Sequence, residues 1–149
     1  MKARLILCIT LGVLSLPFAS PASFAGPSPK QKAPKKAQPS PRTQMLKAYN
    51  VGVNLMLDSK HASAQVKFEQ ALKYDSEFAE AHNNLAYVLR KQGEQNYKNA
   101  LAHYNKAIAL KPHMAEAYMY RGVLYVQMGQ LNDAKEDLRR LNELKSDLA

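Results

Sequence analysis

The chain has 149 residues, a formal net charge of +9 at pH 7 and a single cysteine. One cysteine excludes a disulfide-built scaffold, and the length allows one or two small domains. The charge is unevenly spread. Lys2 and Arg4 sit in the first 25 residues, five cations and no acid lie in 26–44, and from 45 onward fourteen Lys/Arg face all twelve acids. A domain that docks nucleic acid concentrates cations on the folded face that meets phosphate. Here the excess lies outside the folded part, so no nucleic-acid partner is expected.

Met1-Lys2-Ala3-Arg4 gives a cationic start, and Leu5 to Leu16 is apolar apart from Thr10 and Ser15. Pro17 breaks the run, and Ser23-Phe24-Ala25 places small residues where a signal peptidase reads them. This layout predicts a cleaved secretory signal over 1–25, cut between Ala25 and Gly26, and an exported mature chain, periplasmic or secreted. The apolar run is well short of the roughly 20 residues needed to span a bilayer. Cys8 lies inside the signal, so the mature chain holds no cysteine.

Residues 26–44 hold Pro27, Pro29, Pro34, Pro39 and Pro41 with Lys30, Lys32, Lys35, Lys36 and Arg42, and no large apolar side chain. Such a segment cannot bury enough surface to offset the entropy of ordering it, which predicts a disordered, extended tether. It serves as a spacer or as a contact to an anionic membrane or wall surface.

From Met45 the composition changes and the sequence repeats. Aligned as 45–78, 79–114 and 115–148, three copies show small residues at Gly52, Ala86 and Gly122 and again at Ala64, Ala100 and Ala134. Large residues follow at Phe68, Tyr104 and Leu138, then Ala71, Ala107 and Leu141. The middle copy carries two extra loop residues and ends at Pro112. A period of this size marks a solenoid of helical pairs. Each copy predicts two antiparallel helices: 44–57 with 61–74, 79–92 with 97–110, and 115–128 with 132–145. Breaks fall at Asp58-Ser59, Asp75-Ser76, Gly93, Lys111-Pro112 and Gly129-Gln130. The expected fold is therefore all-α, an α-solenoid of three hairpins and six helices after a disordered N-terminal segment. One hairpin cannot cover its own apolar face, so stacking supplies the core. The last copy reads as a terminus, because Asn142 stands where Leu72 and Ile108 would meet a following repeat. Leu141, Leu144 and Leu148 then pack inward or form a dimer seam.

These columns resemble the tetratricopeptide (TPR) family, whose pattern runs from a large residue through Leu-Gly and Tyr to Ala, an aromatic, Ala and Pro. Arg121 stands where Leu is usual, His82 where a large apolar residue is, and Ser76 where Pro is. The resemblance implies a concave groove lined by the first helix of each copy, here Tyr49, Asn50 and Val53, then Asn83, Asn84, Tyr87 and Arg90, then Met119, Tyr120 and Val123. Asn50 and Asn84 match a family column whose amides pair with the backbone of an extended peptide; an amide donates and accepts at once. One TPR subclass grips chaperone C-terminal carboxylates with cations in the first and third copies. Tyr49, Val53, Glu116 and Tyr120 occupy those places, so that clamp is not expected.

Nothing points to catalysis. His61, His82, His103 and His113 lie on different segments without repeated carboxylate partners, and no phosphate loop is present, so no metal, cofactor or enzyme activity is expected. Asp133, Glu136 and Asp137 at the start of the last helix read as charges opposing its dipole. The resulting expectation is an exported, non-catalytic adaptor or scaffold that binds a protein or peptide segment. The alternative is a structural, self-associating protein held at an anionic envelope surface by its tether.

Overall fold

The first helix starts earlier than composition suggests. In the computed structural model, which describes residues 38–146, helix α1 runs Pro41–Leu57. The Ser40 hydroxyl accepts from the Thr43 backbone N–H at 3.2 Å, and Pro41 sits in the first turn, where its fixed φ suits a helix and its missing N–H costs nothing. Residues 41–44 are thus helical, against the expected tether up to Gln44. The signal, the rest of the tether and Leu148 lie outside the described residues.

The other helices follow the expected hairpins: α2 His61–Tyr74, α3 Ala79–Lys91, α4 Tyr97–Leu110, α5 Ala115–Gln127 and α6 Leu131–Ser146. The two extra residues of the middle repeat fall within a three-residue 3-10 turn at Glu94–Asn96. The turns inside the hairpins share a left-handed residue, with φ of 59° at Ser59, 118° at Gly93 and 75° at Gly129. These three positions are equivalent in the repeat, and glycine takes that conformation at two of them without a Cβ penalty.

Each hairpin packs on itself and on the next. The core runs from Ala64 and Phe68 through Leu85, Ala86 and Val88 to Ala100, Tyr104 and Leu124. Phe68 and Tyr104 are fully buried, because α3 and α5 close over them. Neighbouring first helices touch (α1 with α3, α3 with α5), whereas α2, α4 and α6 do not touch one another. First helices therefore line the inner, concave side and second helices splay on the outside. No helix among the described residues is long and apolar enough to cross a membrane.

The small-residue column is not uniform in its tightness. A Cβ added at Gly52 would lie 2.8 Å from Cε1 of Phe68, whereas at Gly122 the nearest side-chain atom is Asp137 Cβ at 3.5 Å. Phe68 is sealed and cannot retreat. Gly52→Ala should therefore destabilise the fold by about 1–3 kcal/mol, while Gly122→Ala should be neutral or stabilise by up to about 1 kcal/mol through better helix propensity. Chemical denaturation of the two variants checks the contrast.

The third repeat departs from the first two. Ala134 is half-buried and Leu138 is 56% exposed, although their counterparts are fully buried. Leu144 packs inward, Leu141 is half-buried and Asn142 is exposed. Arg121, in the column occupied by Val51 and Leu85, turns to a carboxylate: its Nη2 and Nε donate to the two Asp137 oxygens at 2.6 and 2.9 Å, and its Nη1 to Asn105 Oδ1 at 2.7 Å. The guanidinium also lies 5.6 Å from the ring centres of Tyr118 and Tyr125. Burial alone would lower the Arg121 pKa, but Asp137 holds it above the usual value. Asp137 is thus a buried partner joining α6 to α5 (3% exposed) rather than a surface charge at a helix end.

Candidate functional site: the inner face

Along the inner face, polar and aromatic contacts link each first helix to the next. Asn84 Nδ2 donates to the Tyr49 hydroxyl at 3.0 Å. The Tyr87 and Tyr120 rings meet edge-on at 5.3 Å, Arg90 lies 5.4 Å over Tyr87, and Arg90 Nη1 donates to Gln127 Oε1 at 3.2 Å. Arg90 also borders Tyr104, whose pKa burial pushes up to about 12 while Arg90 pulls it the other way. The floor of the groove is thereby tied to the core.

A groove of about 300 Å³ opens beside these contacts. It is lined by Met56, Leu57, Ser59 and His61 from the first hairpin, Asn84, Tyr87 and Lys91 from α3, and Tyr120 from α5. All three repeats contribute to it. Burial and the nearby Lys91 charge hold His61 below the usual imidazole range. A second groove of about 510 Å³ lies at the other edge of the inner face, where Arg42 and Lys111 alternate with Asp75, Glu77 and Glu80. Lys111 there is already paired with Glu80.

The structure brings some of the ten expected groove residues together and separates others. Asn84, Tyr87 and Tyr120 share the smaller groove, with Arg90 stacked on Tyr87. Tyr49 and Val53 are half-buried, and Tyr49 packs on Phe68 and Phe78 with ring centres 5.8 and 4.7 Å away. Burial and the Glu80 charge raise the Tyr49 pKa, against the Asn84 hydrogen bond. Asn50 is exposed on α1, whereas Asn83 is buried at 6% exposure. Met119 and Val123 are exposed and line shallow grooves at the end of the third repeat. Ser59 and His61 lie off the first helices that the repeat register marks as ligand-facing, and Leu57 joins them from the last turn of α1. The turn that follows α1 brings them in.

His82 and His103 do something a family pattern does not foresee. Their rings stack at 5.1 Å with Nδ1 atoms 2.9 Å apart, and His82 Nε2 lies 3.1 Å from the Ser76 carbonyl oxygen. A carbonyl only accepts, so His82 carries its proton on Nε2. Its bare Nδ1 then accepts from the His103 Nδ1–H. A second proton on the pair would set two N–H groups against each other. The His103 pKa is accordingly lowered, by burial first and by His82 second, with Glu69 opposing. A histidine with a lowered folded-state pKa binds fewer protons folded than unfolded, so stability is full above the ordinary imidazole pKa and falls as pH drops through it. Unfolding free energy should be flat above about pH 7.5 and decline from about pH 6.5 downward, and His103→Gln should flatten the decline. Urea titrations across that range measure it. Among the described residues no group of three or more His, Cys, Asp or Glu could hold a metal ion.

Three family models match the chain: one described as tetratricopeptide repeat over residues 58–95, one as TPR repeat over 94–129, and one as tetratricopeptide repeat over 115–148. The chain belongs to the tetratricopeptide repeat family. Tetratricopeptide repeat protein 36 of Xenopus tropicalis is 33% identical over 102 residues, covering 66% of this chain and 50% of that protein. Superkiller complex protein 3 of Mus musculus is 35% identical over 88 residues, covering 56% of this chain and 6% of that protein. The chain thus spans half or much less of the length of these relatives. Among solved structures, the second TPR of Spaghetti (RPAP3) bound to the HSP90 peptide SRMEEVD superposes with a TM-score of 0.65 at 24% identity, covering 69% of this chain and 94% of that one. The TPR2B domain of yeast Sti1 in its pHsp70 complex gives 0.66 at 22% identity, covering 70% and 82%. These likenesses establish the six-helix TPR solenoid fold.

Proposed function

We propose that this TPR protein is an exported, non-catalytic adaptor whose inner face binds an extended peptide or protein segment. One observation carries the reading: the groove beside Tyr87 is assembled from all three repeats and offers aromatic faces, an amide, a hydroxyl and the Lys91 ammonium together. Aromatic and polar groups mixed in this way suit a peptide, whose backbone needs donors and acceptors and whose side chains need apolar cover. The peptide complexes of RPAP3 and Sti1 domains of the same fold support it. Export draws on the signal layout of residues 1–25, and N-terminal sequencing of the mature chain should begin near Gly26.

Selection of peptides from a displayed random library against the chain tests the groove. Selected peptides should bind the Tyr87→Ala/Tyr120→Ala variant at least about tenfold more weakly, the effect of losing an aromatic anchor, with the helical circular dichroism unchanged. Binding that ignores both substitutions places the ligand elsewhere and sinks the proposal. The second reading, a structural protein whose repeats self-associate through their ends while the basic segment 26–44 holds the assembly at an anionic surface, is favoured by the apolar end of the third repeat.

A further inference from the structure

The groove beside Tyr87 carries charge of one sign. Arg90 and Lys91 stand in the last turn of α3, Arg90 over the Tyr87 ring and Lys91 in the groove wall. Neither forms an ion pair with a carboxylate among the described residues. No acid lines the groove, and Asp58, in the turn at its rim, is paired with Lys60 at 3.2 Å. The Lys91 charge therefore reaches His61 unopposed, adding to burial in lowering the imidazole pKa.

The larger groove, at the start of α3, is built differently. Arg42 and Lys111 there stand among Asp75, Glu77 and Glu80, and Lys111 is taken up by Glu80. With Glu80 in the first turn of α3 and Arg90 and Lys91 in the last, the inner face has an acidic end and a cationic end. Both placements suit the helix dipole. At the cationic end, however, the protein supplies no counter-charge of its own.

We infer that the inner groove selects a segment bearing an aspartate or glutamate side chain, its carboxylate beside the Lys91 ammonium and an apolar neighbour against the Tyr87 and Tyr120 rings. This rests on the inner face being the binding surface, as proposed above. Lys91 is exposed, so its attraction has the modest size of a surface ion pair. What it contributes is discrimination. A cationic segment meets Arg90 and Lys91 together with no acid to shield them, and like charges brought together reject a wrong partner. The occupant is a side chain rather than a chain end, because the places where one TPR subclass holds a terminal carboxylate carry Tyr49, Val53, Glu116 and Tyr120 here.

Peptides from the displayed library, synthesised with amidated C-termini so that only side chains carry carboxylates, test this by fluorescence anisotropy. Those that lose affinity for Tyr87→Ala/Tyr120→Ala should carry Asp or Glu next to an apolar residue. Changing that acid to Asn or Gln should weaken binding about threefold to fivefold. The same peptide change should make no difference to Lys91→Gln, whereas Lys91→Arg should preserve it. Both substitutions are at an exposed site and leave the fold intact. Groove-dependent peptides without an acid overturn the inference and leave the peptide-binding reading standing. So does an acid whose removal costs as much in Lys91→Gln as in the wild type, or binding that requires a free C-terminus. Peptides indifferent to Tyr87 and Tyr120 overturn both.

Discussion

Phe68→Ala should lower the unfolding free energy by about 3–5 kcal/mol, the cost of emptying a sealed aromatic site. Phe68 is fully buried, its ring lies under Gly52 and beside Tyr49, and α3 closes over it, so little can collapse into the space left. Leu138→Ala, at the same column of the third repeat, should cost under about 1 kcal/mol when measured on dilute protein, because that side chain is already largely in water. Urea unfolding of the two variants, with the slope held constant, makes the comparison. Equal losses would mean that the third repeat is sealed in solution.

Asp137→Ala should be comparably damaging, by about 3–5 kcal/mol, because it leaves the Arg121 guanidinium inside the domain without its carboxylate. The Arg121 side chain is 17% exposed and that of Asp137 only 3%. Breaking such a pair strands one charge, whereas replacing both members removes the problem. Arg121→Leu with Asp137→Ala should therefore recover most of the loss, since Leu85 fills the same column in the second repeat without a partner. A double-mutant cycle by denaturation measures the coupling. If the double variant is no more stable than Asp137→Ala alone, the charge is not what destabilises the single variant.

The two predictions mark where one-dimensional pattern stops being informative. Helix periods, hairpin breaks and the alternation of small and large columns are local properties, so α2 and α4 fell where their residues put them. The start of α1 did not, because Pro41 inside a proline-rich stretch reads as a tether until the Ser40 cap is seen. The groove was half legible. Asn84, Tyr87 and Tyr120 stand at first-helix positions that a repeat register marks, while His61 and Ser59 enter only because a turn folds back. Asp137 read as a helix-end charge because nothing local tells that Arg121, sixteen residues earlier, points at it.

By itself the sequence determined an all-α solenoid of three TPR hairpins, since a 34- to 36-residue period of small and large residues admits no other economical packing. Tertiary structure alone decided which equivalent residues are equivalent in fact. Phe68 and Tyr104 are sealed while Leu138 is bare, and His82 meets His103 while Arg121 meets Asp137. Burial and pairing depend on what the neighbouring element covers, and among the described residues no element follows α6. Of the basic excess noted at the outset only Arg42 enters this part of the chain, and what the folded part presents is a lined groove on one side and, among the described residues, an uncovered apolar face at one end.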